Sequence, residues 1–345
     1  MTSQDSAPKE PLARTSEGKG PASCWVITDG GMGMVNQALG LAEALGCAPI
    51  TLKTVQMKAP WRWLPPVWGE WLKSGWVFSC LTNGSSDFSS PWPDLTISCG
   101  SRAVPVALAV RGASAGLTRS IHVQNPTINP KQFDLVIAPA HDQLDGANVF
   151  QTHGAVGRAT AERLVQEAAA WRDRLANFPR PRVMVLIGGS NGRYQLGPAR
   201  AYAIGAALKT FAVANNLFLL VTPSRRTGVE NLEQLRRGLD DAPATVWDMT
   251  GDNPYYGWLG SADGVIVTED SVNMVTEACA TGRPVYILPL DGKGSAKFHR
   301  FHRAMQAEGY TRPFKGQWEK WTYSPLDEAR RAAVFVRKKL GWPKE

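Results

Sequence analysis

Glu277 is the residue whose type and position most clearly suggest ligand binding. An apolar run over residues 265–267 stops at a patch of acids and hydroxyls, and a helix-like segment that carries Glu277 begins near Ser271 and Asn273. Hydroxyl and amide side chains at a helix start cap its first backbone N–H groups. A carboxylate about one turn further on can accept two hydroxyl hydrogens of a ribose. The alternative is a capping or solvent-facing glutamate, which is common near helix starts.

Two glycine-rich turns are candidates for binding an anionic ligand. The first turn reads Gly30-Gly31-Met32-Gly33, and the second reads Gly188-Gly189-Ser190-Asn191-Gly192. Glycine lets backbone N–H groups approach a ligand closely, and the start of a following helix favours anions. Neither turn matches the P-loop or the dinucleotide-binding fingerprint. A tight strand-to-helix turn without a ligand is the alternative for each.

Arg225 and Arg226 provide cationic groups just past the apolar run 217–221. An arginine at that position can clamp a diphosphate with two parallel hydrogen bonds. A solvated surface pair is the alternative.

These segments need a frame of parallel strands to bring them together. Short apolar runs stop at polar or glycine-rich residues and are mostly followed by helical patterns; the runs lie at 25–27, 95–97, 121–123, 135–137, 183–187, 217–221, 265–267 and 285–288. This alternation is typical of parallel sheets covered by helices. We therefore predict an α/β fold with two Rossmann-like domains, over 23–160 and 180–320, whose sheets face a central cleft. A further helix over 325–340 is expected to pack on either domain.

Composition limits the class of protein. The chain has 345 residues and a net charge of +8, which suits phosphorylated ligands or an anionic membrane surface. No nucleic-acid-binding motif is visible, so nucleic acid is not predicted as a partner. The polar residues 1–22 are predicted to be a disordered tail. No apolar run is long enough to span a membrane.

The five cysteines and five histidines lack the spacing of a disulfide scaffold or a metal site. Unpaired cysteines are typical of a reducing compartment. We therefore predict a cytoplasmic protein without a metal or cofactor.

The segment 61–78, WRWLPPVWGEWLKSGWVF, contains five tryptophans together with Arg62 and Lys73. Tryptophan prefers membrane–water interfaces, where basic residues meet anionic headgroups. We therefore predict a peripheral contact with the inner face of a membrane. Because Pro65-Pro66 break any long helix, a flap packed on the core is the alternative.

The second half of the chain resembles the second domain of the GT-B glycosyltransferases, and most closely the peptidoglycan enzyme that adds N-acetylglucosamine to a lipid-linked muramyl acceptor. The resemblance is carried by Gly188-Gly189-Ser190-Asn191-Gly192, Ser271, Glu277-Ala278 and Thr281-Gly282-Arg283-Pro284. It implies a nucleotide-sugar donor, with the turn at Gly189, Ser190 and Asn191 facing the diphosphate and Glu277 holding the ribose. It also implies that the turn Gly30 to Gly33 lies on the acceptor side, where a lipid-linked or cell-envelope glycan would bind.

Nearly the whole chain after residue 23 is similar to a bacterial and plant family named after a plant mitochondrial-fission factor, the "elongated mitochondria" protein. The residues that carry this similarity are Asp29-Gly30, Asn36-Gln37, Gln124-Asn125-Pro126, Ala138-Pro139-Ala140-His141-Asp142, Thr222-Pro223-Ser224-Arg225-Arg226-Thr227, Asp252-Asn253-Pro254-Tyr255 and Thr268-Glu269-Asp270-Ser271-Val272-Asn273-Met274. Together with the GT-B resemblance, they assign further residues to the two sides of the cleft. The donor side gains Arg225, Arg226, Ser271, Asn273 and Met274, and the acceptor side gains Asn36, Gln37, Gln124 and Asn125.

One departure from the peptidoglycan enzyme concerns the general base. That enzyme carries a histidine in its first glycine-rich turn, whereas this chain has none there. Transfer with inversion requires removal of a proton from the acceptor hydroxyl. The candidates are Asp29 and the pair His141-Asp142, all at predicted strand ends; for His141 a structural role is the alternative. Transfer with retention would need no such base.

Two other functions remain open. A two-domain nucleotide-sugar epimerase would use the same donor loops, with acids such as Glu269 or Asp270 around the sugar. A non-catalytic adaptor would keep the fold and recruit a partner at a membrane, as the division role of the plant family member suggests.

Overall fold

The computed structural model describes residue 21 and residues 23–343. The tail predicted over residues 1–22 therefore lies, except for Pro21, outside the described residues.

The first half of the chain forms a six-stranded, wholly parallel sheet. Its strands are β1 (Cys24–Thr28), β2 (Ile50–Thr54), β3 (Leu95–Cys99), β4 (Arg119–Val123), β5 (Leu135–Pro139) and β6 (Val149–Thr152), in the order β2-β1-β3-β4-β5-β6. Its helices are α1 (Met32–Ala44), α2 (Ser74–Ser79) and α3 (Ala103–Ala113), with 3-10 turns at Trp61–Trp63, Pro66–Glu70, Pro130–Gln132 and Ala140–Asp142. Every residue of β1, β3 and β5 is buried, because helices cover both faces of such a sheet.

The second half repeats this arrangement around another six-stranded parallel sheet. Its strands are β7 (Arg182–Ile187), β9 (Phe218–Pro223), β10 (Ala244–Val246), β11 (Gly264–Thr268), β12 (Val285–Leu288) and β14 (Thr311–Pro313), in the order β10-β9-β7-β11-β12-β14, while β8 (Tyr194–Gln195) and β13 (Asp291–Gly292) form a separate antiparallel ribbon. The helices are α4 (Ala161–Ala170), α5 (Arg172–Leu175), α6 (Pro198–Asn215), α7 (Val229–Leu239), α8 (Tyr255–Ser261), α9 (Val272–Cys279), α10 (Ala296–Ala307) and α11 (Glu328–Leu340). The two sheets confirm the predicted α/β class.

The last helix, α11, returns to the first sheet. Ala332, Ala333 and Val336 are buried in the same core cluster as Leu41 of α1. The helix begins at Glu328, later than the predicted start at 325, because the Asp327 side chain accepts the backbone N–H of Arg330 and caps it. The chain therefore passes from the first domain to the second near residue 155 and returns to the first domain near residue 326.

The sequence predicts a single helix over 161–175 with Thr160 as its cap, but in the structure this segment is divided at Trp171 into α4 and α5. The Trp171 ring meets the Trp258 ring edge to face, with centroids 6.4 Å apart. Gly257 of α8 makes room for it, since a Cβ there would lie 2.1 Å from the Trp171 ring. This packing fixes α4 and α5 on the second sheet.

Candidate functional site

The carboxyl ends of the two sheets face each other, and α1 and α9 meet between them. The side-chain amide of Asn273 donates to the carbonyl oxygen of Gly33 at 3.2 Å and accepts from Gln37 Nε2 at 3.1 Å. A Cβ at Gly33 would lie 2.6 Å from Asn273 Nδ2, so a glycine is needed for this approach. Residues predicted for the donor side and the acceptor side are thus in direct contact.

A buried aspartate, Asp270, organises the glycine-rich turn of the second sheet. Its carboxylate accepts the Gly189 backbone N–H at 3.2 Å, the Thr268 hydroxyl at 2.6 Å and Arg226 Nη2 at 2.7 Å. A Cβ at Gly188 would lie 2.1 Å from its Oδ1, and a Cβ at Gly189 would lie 2.0 Å from the Arg226 carbonyl oxygen. The glycines therefore let the turn pack closely against Asp270. Arg226 forms an ion pair with this carboxylate.

Some of the other polar side chains around this turn hold its structure, and others are available to a ligand. Asn191 holds the turn, since its Oδ1 accepts the backbone N–H groups of Arg193 and Tyr194 and its Nδ2 donates to the Asp270 carbonyl oxygen. Ser190 is exposed, and its Oγ accepts the Leu196 N–H at 3.0 Å. Arg225 is exposed, with no hydrogen bond or ion pair to any residue that the structure describes, so its guanidinium is available to an anion.

Helix α9 begins directly after β11, with Ser271 as its N-cap. The Ser271 hydroxyl accepts the Met274 backbone N–H at 3.3 Å, as the sequence predicts. The helix start therefore points its positive dipole end at the carboxyl edge of the second sheet, beside the turn that Asp270 holds.

Glu277 lies one turn further along α9 and is 8% exposed. Tyr255 donates to its Oε2 at 2.6 Å, whereas the Tyr256 hydroxyl is 3.4 Å from Oε1. Burial raises the pKa of the Glu277 carboxyl, and the two tyrosine hydroxyls and nearby Arg163 oppose that rise. The long contact leaves Oε1 the weaker-bonded oxygen, and it is the one with capacity for a ligand hydroxyl.

The predicted base candidates His141 and Asp142 lie beneath α10. Lys297 forms an ion pair with Asp142, and Arg300 Nη2 donates to the His141 carbonyl oxygen at 2.9 Å. Both side chains are buried. His141 Nδ1 and Asp142 Oδ2 have no hydrogen-bond partner among the described residues. The pair is therefore part of the interface between the domains in this structure.

Burial first, and then the neighbouring Lys297, Arg300 and His302, lower the pKa of His141 to about 4, although Asp142 opposes them. Between pH 6.5 and 4 the unfolded chain then binds more protons at His141 than the folded chain does, so stability falls as the pH is lowered through this window.

We expect His141→Gln to reduce this acid sensitivity of the free energy of unfolding by up to about 1.4 kcal/mol per pH unit. Urea unfolding at pH 7 and pH 5 measures it, with exposed His299→Gln as the control. An unchanged pH dependence in the His141 variant would contradict the assignment.

Asp29, the other base candidate, lies at the end of β1. Its Oδ1 accepts the Gly31 backbone N–H at 3.1 Å, and its Oδ2 is 3.3 Å from Arg102 Nη1. Its side chain is partly exposed, unlike that of Asp142. Asp29 is therefore the candidate that solvent and an acceptor can reach in this conformation.

The loop after β4 adds backbone strain to the same edge. Gln124 and Thr127 have φ of 84° and 58°, which non-glycine residues rarely adopt. Asn125 Oδ1 accepts the Thr127 N–H at 2.8 Å and stabilises this turn. Gln124 and Asn125 are half-buried, as is Asn36 on α1. Strain of this kind is concentrated at functional sites.

Sequence reasoning missed several residues of the site. Tyr255 and Tyr256 follow an Asn-Pro pair that marks a helix start, but nothing local links them to Glu277. Arg102 was also missed, although it follows β3 at the expected edge. Among residues 23–343, no group of three or more His, Cys, Asp or Glu side chains is arranged to hold a metal ion, and no helix has the length and hydrophobicity to cross a membrane.

Comparisons with known proteins agree on fold and family. The family model described as "Mitochondrial fission ELM1" matches residues 32–340. The mitochondrial fission protein ELM1 of Arabidopsis thaliana is 29% identical over 282 residues, which are 72% of this chain and 65% of the plant protein. The match thus spans less than two thirds of that relative.

Solved structures with this architecture include an epimerase and a glycosyltransferase. A UDP-GlcNAc 2-epimerase from Neisseria meningitidis bound to UDP-GlcNAc has a TM-score of 0.51 at 11% identity, covering 92% of this chain and all of that one. The glycosyltransferase of kitacinnamycin has a TM-score of 0.52 at 12% identity, covering 93% and 99% of the two chains. The likeness concerns the fold, which is of the GT-B type, as predicted.

Proposed function

We propose that this chain, which belongs to the mitochondrial fission ELM1 family, binds a nucleotide sugar in the cleft between its two domains. We propose that it transfers the sugar to a lipid-linked or cell-envelope glycan, working at the cytoplasmic face of a membrane. The plant relative's name concerns fission, and that role is not needed for the chemistry proposed here.

The observation that supports this proposal is the set of polar groups that lie around α9 at the carboxyl edge of the second sheet. One edge of the second sheet carries a capped helix start, a glycine-rich turn hydrogen-bonded to Asp270 and the carboxylate of Glu277. It also carries Arg225, whose guanidinium pairs with no residue that the structure describes. Helix starts and arginines suit a diphosphate, and a carboxylate suits ribose hydroxyls. A metal is not required for binding such a diphosphate when these groups carry the opposing charge.

Uridine is the nucleoside we propose. A protein with the same fold is bound to UDP-GlcNAc, which supports a UDP-sugar. In this assignment Oε1 of Glu277 accepts from the ribose, and Ser190 and Arg225 contact the diphosphate.

Transfer is favoured over epimerisation by the state of the two acids next to Ser271. Asp270 accepts three hydrogen bonds and is buried. Glu269 Oε1 accepts the Leu290 backbone N–H at 2.8 Å. Epimerisation needs acid and base groups free to exchange protons with the sugar. Transfer with inversion needs one base on the acceptor side, for which we propose Asp29.

The fate of the sugar moiety tests this function. We expect UDP-GlcNAc labelled in the sugar to lose its label to a lipid-extractable product when the protein and a membrane extract are both present. Asp29→Asn should lower the rate by about 100-fold or more, since general bases contribute about 10²–10⁴. Label found in an epimeric nucleotide sugar would support the epimerase instead. Nucleotide binding without any conversion would support the adaptor.

A further inference from the structure

A groove in the first domain lies between the tryptophan-rich segment and the start of α3. It encloses about 520 Å³, within the range of about 300–1,000 Å³ typical of small-molecule sites. The lining residues belong to two segments and one loop: Met57, Trp61 to Pro66 and Trp68 on one side, Ser101, Arg102 and Pro105 on the other, and Thr127 at one end.

The wall formed by residues 61–68 is apolar and aromatic. Trp61 and Trp68 pack with ring centroids 4.9 Å apart, and Trp68 is buried, so this part of the wall is anchored in the domain core. Trp63 is 67% exposed and Leu64 is also exposed. Such exposed aromatic surface beside a concave site is typical of a binding surface for apolar groups.

The charge of the groove is positive. Its two charged lining residues are Arg62 and Arg102, and none of the lining residues is acidic. The Arg62 guanidinium lies 4.3 Å from the centroid of the Trp63 ring and forms no ion pair with a described residue. The side chain of Arg102 is 56% exposed. The groove therefore combines an apolar wall with guanidinium groups, which prefer phosphate.

The groove also leads to the cleft. Arg102 Nη1 is 3.3 Å from Asp29 Oδ2, at the carboxyl end of β1. A molecule whose phosphate contacts Arg102 would place whatever its phosphate carries beside Asp29 and the turn that follows it. The apolar part would extend away from the cleft along Trp61 and Trp63.

We propose that this groove binds a single lipid phosphate, with its phosphate between Arg62 and Arg102 and the first part of its chain on the tryptophan wall. This assigns the acceptor class of the proposed transferase and depends on that function for the transfer step. The binding itself does not depend on it. The proposal differs from a general membrane contact of segment 61–78, because it requires the residues that line the groove and not the other exposed tryptophans.

Dodecyl phosphate is the probe, titrated below its micelle concentration into the full chain by calorimetry. We expect it to bind at least tenfold more tightly than either dodecanol or inorganic phosphate. Trp63→Ala and Arg62→Gln should each weaken binding by fivefold or more. The matched controls are Trp71→Ala and Trp76→Ala, because these side chains are 77% and 66% exposed but do not line the groove, and they should bind as the wild type does.

Three outcomes would overturn the proposal. Equal losses in the Trp63 and Trp71 variants would indicate a membrane-facing aromatic belt. Equal affinity for inorganic phosphate would indicate an anion site without a lipid. Binding to anionic vesicles without binding of monomeric dodecyl phosphate would indicate a membrane surface. Glu277→Gln should leave lipid affinity unchanged, so a failure of nucleotide binding is distinguishable from a failure of the groove.

Discussion

Asp270→Asn is expected to lower the free energy of unfolding by about 2–3 kcal/mol, because hydrogen bonds to a charged group contribute about 1.5–3 kcal/mol. The substitution keeps the shape of the side chain but removes its charge and one of its accepting oxygens. Gly189 N–H and Arg226 Nη2 share Oδ2, and Thr268 uses Oδ1. The side chain of Arg226 is 40% exposed and so partly screened. Most of the loss therefore comes from the buried N–H and hydroxyl groups.

The matched control is Asp252→Asn. Asp252 also accepts from an arginine, Arg174 Nη2 at 2.8 Å, but its side chain is 73% exposed. An exposed pair contributes about 0–1 kcal/mol, so this variant should unfold nearly as the wild type does. Urea unfolding monitored by tryptophan fluorescence measures both. Equal stability of the Asp270 variant and its control would show that Asp270 does not hold the turn.

Glu277→Gln is expected to weaken binding of UDP-GlcNAc by about 10- to 100-fold, since loss of a hydrogen bond to a charged acceptor costs about 1.5–3 kcal/mol. The fold should be retained. Burial already raises the pKa of this carboxyl, so the neutral amide relieves the cost of a buried charge, and its carbonyl oxygen keeps the bond from Tyr255. Unchanged stability with weaker binding separates a ligand contact from a structural role.

Glu328→Gln provides the control for this experiment. Glu328 is likewise buried with a raised pKa caused first by desolvation, but it accepts from Arg331 and from the His153 backbone N–H at the crossing between the domains. This variant should lose stability and keep its nucleotide affinity. Equal affinities of the wild type and the Glu277 variant for UDP-GlcNAc would remove Glu277 from the binding site.

The sequence predicted the central strands well because they are buried on both faces. Strands such as β1, β7 and β11 appear as continuous apolar runs that end at polar loops. The four edge strands β2, β6, β10 and β14 were missed, since most of their residues are half-buried or exposed and do not form apolar runs. The break at Trp171 was missed because its cause is a contact with α8, about 85 positions further along the chain.

Within the site, local patterns predicted groups that act through their neighbours in sequence. The cap at Ser271 and the turn after β7 are examples, because a hydroxyl before a helix and glycines after a strand have local causes. The role of Asp270 has no local signal, since Gly189 and Arg226 are 81 and 44 positions away. The burial of His141 under α10 depends on how the two domains pack against each other, and the hydrophobic periodicity of the sequence does not predict that packing.

Calorimetric titration of the wild-type chain with UDP-GlcNAc, UDP and ADP is the first measurement to make, because it shows whether the cleft binds a nucleotide sugar. We expect UDP-GlcNAc and UDP both to bind with one site per chain and ADP to bind more weakly. A ligand at 100 times its Kd should raise the free energy of unfolding by about 2.7 kcal/mol. Absence of binding by every nucleotide and nucleotide sugar at millimolar concentration would contradict a donor site in the cleft. The family's GT-B fold would then serve recruitment of a partner.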